Sequence, residues 1–156
     1  YIGEKVKSKA QGMDMNIESD ILHLNGNVEV IQENGSTLNT VNLMISQSLG
    51  EKEYTSKGKT IYQSVDNTIN ADKGVNINMN SDQTKLLGAV KVINGYGSSL
   101  TSYDLIIDQS NGGEIFKSNS PSRFQSNTVD IRAEDMHYDS ITKKLKLTDG
   151  VLATYE

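Results

Sequence analysis

The chain has 156 residues, 35% of them apolar, with 13 Gly, 15 Asn and 17 Ser against one Pro and no Cys; this turn-forming composition argues against a helical bundle and excludes disulfides, thiol nucleophiles and thiolate metal sites. With 15 Lys+Arg against 20 Asp+Glu the formal net charge is −5, which disfavours long-range attraction to nucleic acid. No window holds the ~18 apolar residues of a membrane-spanning helix.

The sequence opens at Tyr1 rather than Met, so a leader or anchor upstream is an expectation. The lysine-bearing start, Glu4-Lys5-Val6-Lys7-Ser8-Lys9, is expected to fray. Residues 8–19 have a competing reading as a weak amphipathic helix, which an internal repeat sets aside. Val6, Ala10, Met13, Leu22, Leu24 and Val28 align without a gap on Val129, Ala133, Met136, Leu145, Leu147 and Val151, all at one offset of 123 residues. Both stretches therefore read as strand, turn, strand. Between them the theme recurs about every 30 residues.

Each repeat begins with an opening strand of a hydroxyl residue, an apolar residue and polar ones, at 37–40, 68–72, 99–102 and 128–131. A return strand follows, with a small or turn-forming residue in mid-run at Gly26, Gly58, Gly88, Ser120 and Gly150. Glycine inside a strand marks a bulge or a bend, so each repeat is expected to bend at the same height. β-Rich runs follow at 28–31, 59–62, 90–93 and 151–155. Val75-Asn76-Ile77-Asn78-Met79-Asn80 alternates apolar and amide side chains, as a half-wet strand requires. Leu38 is out of phase with Val41, Leu43 and Ile45, and Leu100 with Tyr103, Leu105 and Ile107. One added residue at each place, a bulge, keeps the apolar face inward. Turns are predicted at 33–36, 94–97 and 110–113, each rich in Asn, Ser and Gly.

These elements give an all-β fold: an elongated β-jellyroll or β-roll of stacked antiparallel strands with open edges, one domain over 1–156, with roughly 10–15 strands.

The phrases Leu24-Asn25-Gly26-Asn27-Val28-Glu29-Val30, Ile69-Asn70-Ala71-Asp72 and Leu86-Leu87-Gly88-Ala89-Val90-Lys91-Val92 resemble the OstA-like domains of the lipopolysaccharide-transport bridge, the LptC/LptA family. The stretch from Ile131 through Met136-His137-Tyr138-Asp139 to Glu156 looks most like the end of an LptC. The resemblance covers nearly the whole chain, and the membrane helix that LptC carries is absent from these residues; a soluble LptA-like protein is the alternative. The resemblance implies a periplasmic lipopolysaccharide-binding protein, anchored to the inner membrane if a segment precedes Tyr1. Its apolar interior would shelter acyl chains at about 0.8 kcal/mol per methylene removed from water. No enzyme activity and no cofactor are implied.

Candidate lining residues are those in phase with the apolar face: Leu22, Leu24, Val28, Val30, Leu43, Ile45, Ile69, Val75, Ile77, Met79, Leu86, Val90, Val92, Leu105, Ile107, Met136, Leu145 and Leu147. Implied partners are the lipid A acyl chains, related OstA-like bridge proteins joined by strand addition, and the inner-membrane transporter complex, with no nucleic acid. Leu145, Leu147, Val151 and Ala153 would lie at the partner edge, unless Lys143, Lys144 and Lys146 simply protect it.

Sharper chemistry finds little support. Lys5, Lys7 and Lys9 alternate on one strand face, where lipid phosphate or plain solvent would meet them. His23 and His137 sit in no metal-ligand spacing. Asp66, Asn70 and Asp72 before Gly74 lack the order of a calcium loop. No nucleophile elbow occurs, and Glu134 and Asp135 would point to opposite faces of a strand. Two other readings stay open: a parallel β-helix of adhesin or polysaccharide-acting type, and a scaffold that binds protein through its edges with a fully packed interior.

Overall fold

The structure, a computed structural model, describes residues 6–48 and 50–155, except the side chains of Val6 and Ser48. Tyr1, Glu4, Lys5 and Glu156, which enter the readings above, lie outside the described residues.

Among the described residues sixteen strands form: β1 (Val6–Lys9), β2 (Gly12–Asn16), β3 (Ile21–Gln32), β4 (Thr37–Ser48), β5 (Glu51–Ser56), β6 (Thr60–Gln63), β7 (Asn67–Ala71), β8 (Gly74–Asn78), β9 (Gln83–Asn94), β10 (Ser99–Asp108), β11 (Ile115–Ser118), β12 (Ser122–Gln125), β13 (Val129–Ala133), β14 (Asp135–Asp139), β15 (Lys144–Thr148) and β16 (Leu152–Tyr155). That is one more than the upper expected number. Every pairing is antiparallel, which overturns the parallel β-helix reading.

Four strands are long and change partners midway. The first half of β3 pairs with β2 and its second half with β1. Likewise β4 passes from β6 to β5, β9 from β8 to β7, and β10 from β12 to β11. Two layers result. The first runs β1, β3, β4, β6, β7, β9, β10, β12, β13, β16, and the second β2, β3, β4, β5, β8, β9, β10, β11, β14, β15. The long strands cross between the layers along a spine, and the connecting turns form a row of tips on each layer. Among the described residues no ladder pairing joins positions further apart in sequence than Asn67 and Asn94.

The bend has a defined chemistry. Gly26 and Gly88 adopt φ of 77° and 83°, and Asn42 and Asp104 beside them are also left-handed at 53° and 55°. The backbone N–H of Gly26 donates to Asn42 Oδ1 (2.8 Å), and that of Gly88 to Asp104 Oδ1 (2.7 Å). Register slips there, between Leu24 and Asn27 and between Tyr103 and Leu105, so each strand carries the bulge that the phase slip predicts, but further along than the apolar pattern placed it. Val41 and Tyr103, counted in phase with the inner residues, instead face outward, 42% and 47% exposed. The residue that absorbs the slip comes directly after each of them.

Gly26 and Gly88, Asn42 and Asp104, and the left-handed Asp20 and Asp82 are each 62 positions apart. The structural unit is thus twice the sequence period. The bend lies inside a continuous strand at Gly26 and Gly88 but between separate strands at Gly58 and Ser120. The offset of 123 spans two units and matches in register: Met13 pairs with Leu24 as Met136 pairs with Leu147.

Hydroxyls, all buried except the half-buried Ser102, bracket the spine in both units. Thr40 Oγ1 donates to Ser56 Oγ (2.8 Å), which donates to the Val41 carbonyl (2.8 Å) and accepts from the Gly58 N–H (3.1 Å). In the second unit Ser102 donates to Ser118 (2.6 Å), Ser118 to the Asp104 carbonyl (2.8 Å), and Ser122 to Ser102 (3.0 Å).

Candidate functional site: the interior, its ends and its mouth

The pleat sends alternate side chains to the inner face, where ladder partners form continuous rungs across the layers. In the first layer one rung reads Ser8, Val30, Leu38, Tyr62, Ile69, Val92, Leu100, Phe124, Ile131, Ala153. In the second layer the rung nearest the tips reads Met15, Leu22, Ile45, Tyr54, Ile77, Thr84, Ile107, Phe116, Tyr138, Leu145.

All eighteen candidate lining residues come together in this interior. Leu22, Leu24, Val28, Val30, Leu43, Ile45, Ile69, Val75, Ile77, Leu86, Val90, Val92, Leu105, Ile107 and Met136 are buried in one cluster that spans both layers, and Met79, Leu145 and Leu147 pack against it half-buried. Leu38, Tyr54, Tyr62, Leu100 and Phe116 share that cluster and were not singled out in the sequence: two are tyrosines, Leu38 and Leu100 lie beside the phase slips, and Phe116 stands in a strand of four residues, too short to show alternation. In this state the middle of the roll is filled by its own side chains.

The two ends differ from the middle. At the β1–β2 end the inner-face residues Met13 and Met15 of the second layer are 63% and 64% exposed. At the β15–β16 end Ala153 and Tyr155 of the first layer are exposed on the inner side. The reason is a stagger between the layers, which the tip contacts reveal. Glu114, in the β10–β11 turn of the second layer, meets Tyr62 of β6 and Ser36 of the β3–β4 turn. Lys143, in the β14–β15 turn, meets Asp66 in the β6–β7 turn. Each contact joins strands between three and five places apart in the layer order, as twisted sheets crossing at an angle require. The second layer therefore overhangs at the β2 end and the first layer at the β16 end.

Of the proposed partner-edge residues, Leu145 and Leu147 lie on β15, Ala153 on β16 and Val151 just before β16. Lys144 and Lys146 are exposed on β15. Lys143 is not an edge guard: it is a turn residue with φ of 56° whose Nζ reaches Asp66 Oδ2 at 2.7 Å.

Between the tips lies a cavity of about 540 Å³, lined by residues of the β3–β4 and β6–β7 turns on one side and of the β8–β9, β10–β11 and β14–β15 turns on the other, and reaching in to Ile77, Met79 and Thr84. A polar knot crosses this mouth. The Tyr62 hydroxyl donates to Glu114 Oε1 (2.6 Å), Gln109 Nε2 donates to the Tyr62 hydroxyl (2.9 Å), and Ser36 Oγ approaches Glu114 Oε1 at 3.5 Å. Burial, then the adjacent Glu114 carboxylate, pushes the Tyr62 phenol well above its usual range. The hydrogen bond to Asp66 raises the Lys143 ammonium.

Sequence reasoning missed this knot. Its signal is a break in the 62-residue repeat: Tyr62 stands where the second unit has Phe124, and Glu114 where the first has Lys52.

A second hollow of about 960 Å³ lies over the outer side of the first layer, lined among others by Lys9, Glu29, Asn39, Val41, Ile61, Asn70 and Lys91. Lys9 pairs there with Glu29 at 3.2 Å, so Lys7 and Lys9 serve the outer surface and not the interior. His23 and His137 are exposed on β3 and β14. Asp66, Asn70 and Asp72 are dispersed; Asp66 takes Lys143, and Asp72 Oδ1 accepts from the Ala89 N–H (2.7 Å). Glu134 does not share a strand with Asp135: it lies in the bend between β13 and β14, where its N–H donates to the Asp149 carbonyl (2.9 Å). Among the described residues no three His, Asp or Glu side chains are placed to hold a metal ion. No helix there is long and apolar enough to cross a membrane.

Comparison with family models and with curated proteins finds no match to this chain.

Proposed function

We propose that this chain is a periplasmic lipopolysaccharide-binding module of LptC-like type, which shields acyl chains inside the roll and passes lipid along an edge-to-edge bridge from inner to outer membrane. Its role is binding and hand-over without chemistry. The observation that carries the reading is an inner face, apolar apart from scattered Ser and Thr, that runs from the β1–β2 edge to the β15–β16 edge and surfaces at both.

The edges suit strand addition. β15 runs from tip to spine and β2 from spine to tip, while β16 and β1 run the opposite ways. A module of the same kind placed end to end therefore meets each edge antiparallel, the geometry of every existing pair. The overhangs are complementary as well: a neighbour's Met13 and Met15 would fall beneath Ala153 and Tyr155. Related OstA-like proteins and the inner-membrane transporter complex are the proposed partners. An anchor upstream of Tyr1 would mark the LptC-like form, and a soluble LptA-like bridge component would use the same surfaces.

The packed interior favours a second reading, a scaffold that binds protein through its edges alone. Displacement of a fluorescent apolar probe by lipopolysaccharide, with de-acylated lipopolysaccharide as control, separates the two. Saturable displacement that needs the acyl chains is the expected result. Absence of displacement, together with no capture of lipopolysaccharide in cells by photo-crosslinking residues at Ile77 or Leu105, would leave the scaffold.

A further inference from the structure

We propose that the cavity between the tips is a lateral port for an acyl chain, and that the Tyr62–Glu114 and Asp66–Lys143 contacts are the latches that hold it shut. The proposal rests on the lipid-carrier reading.

The interior is filled by its own side chains, so a chain can enter only if the layers separate. They cannot part at the spine, where β3, β4, β9 and β10 pass covalently from one layer to the other. Separation must come at the tips. There the layers are joined by polar side chains: Tyr62 and Ser36 to Glu114, Gln109 to Tyr62, and Asp66 to Lys143. Such contacts suit a latch. The Lys143–Asp66 side chains are 54% and 48% exposed, and an ion pair so exposed contributes little and re-forms readily.

The cavity behind the latches leads to the right surface. It extends from the turns to Ile77 and Met79 of the inner face. Its rim carries Val65, 97% exposed, and Ile141, 66% exposed, two aliphatic side chains held in water on turns otherwise built of Ser64 and Asp66 and of Ser140, Thr142 and Lys143. An acyl chain approaching from the side meets those two first and the inner rung next. The latch residues also stand where the repeat loses its symmetry, Tyr62 against Phe124 and Glu114 against Lys52, which confines the knot to one place along the roll.

The chain has no cysteine, so Asp66→Cys with Lys143→Cys gives one addressable pair. This pair is joined by a short bifunctional thiosulfonate reagent that a reductant removes. Uptake of a fluorescent twelve-carbon fatty acid is then timed by stopped flow, with circular dichroism to establish that the bridged protein keeps its sheet signal. Bridging is expected to slow uptake at least tenfold, and reductant to restore it. Glu114→Gln combined with Tyr62→Phe is expected to speed uptake several-fold. If the reduced and bridged proteins take up the fatty acid equally fast, the chain enters through the roll ends and the port is refuted, while the carrier reading stands. If the unmodified protein takes up none, the carrier reading falls and the port with it.

Discussion

Ser56→Ala tests the hydroxyl bracket of the spine and the equivalence of the two units. Ser56 is 4% exposed, and its Oγ holds three neighbours: Thr40, the Val41 carbonyl and the Gly58 N–H. Truncation to Ala leaves the part-buried Val41 carbonyl and Gly58 N–H short of a partner, which costs about 2–3 kcal/mol. At roughly 2–4 °C per kcal/mol for a chain of this size, the thermal midpoint should fall by roughly 4–12 °C. Ser118 occupies the matching place in the second unit and donates to the Asp104 carbonyl, so Ser118→Ala should cost a similar amount. Four strand steps separate β5 from β11 in the second layer, about 19 Å at the usual spacing, and effects at that distance add. The double variant should therefore lose about 4–6 kcal/mol in urea denaturation followed by circular dichroism. Ser126→Ala, in the exposed β12–β13 turn, serves as the control and should stay within about 0.5 kcal/mol. Losses at Ser56 and Ser118 no larger than that control would refute the bracket.

Three further outcomes are expected. Gly88→Ala forces a left-handed alanine whose Cβ would meet the Asp72 carboxylate and the Lys73 side chain, whereas Gly35, at the same φ of 83°, has open space around it. Both substitutions should cost about 1–2 kcal/mol for the backbone, with Gly88→Ala clearly the worse, and equal denaturation midpoints would contradict the packing at the bend. Leu105→Ala empties a site with 0% exposure and should cost about 2–5 kcal/mol; a loss below 1 kcal/mol would mean that the interior is not tightly filled. The carboxyls of Asp108, Asp130 and Asp139 are held below the usual range, by hydrogen bonds from Ser110, Arg123 and Thr142 respectively. Depressed folded-state values contribute stability that is complete above the ordinary carboxylate pKa of about 4 and lost as pH falls through the lower folded values. The melting midpoint should thus be level from pH 7 to about 5 and drop below about 4, and Asp139→Asn should flatten part of that drop; an unchanged slope would exclude Asp139 as a contributor.

Much of the architecture is legible in the sequence because a half-buried strand writes its faces in alternate letters. Leu86, Val90 and Val92 identify both the strand and its inner side, and the pairing of Met13 with Leu24 and of Met136 with Leu147 bears out the alignment of the two chain ends. The bulges are legible as phase slips, yet their position is not, since Asn42 and Asp104 reveal a left-handed backbone only through geometry, and Val41 was placed on the wrong face as a result. The interior set was legible as a set. Its tyrosines were not, because Tyr54 and Tyr62 read equally well as surface residues until the second layer covers them. The mouth was invisible: Tyr62 and Glu114 are 52 residues apart, join different layers, and meet only because the layers are staggered.

That no ladder pairing among the described residues spans more than the interval from Asn67 to Asn94 governs how the molecule assembles. A sheet whose partners are all near in sequence has low contact order for a β protein, so loop-closure entropy is modest at every step. Folding can proceed from the first hairpin onward, each new pair of strands finding its template already in place, as in other quasi-one-dimensional repeats. The contacts that violate this locality are at the tips, Ser36 with Glu114 and Asp66 with Lys143, 78 and 77 residues apart. These should form last, once both units exist, so the final event in folding is the closing of the mouth.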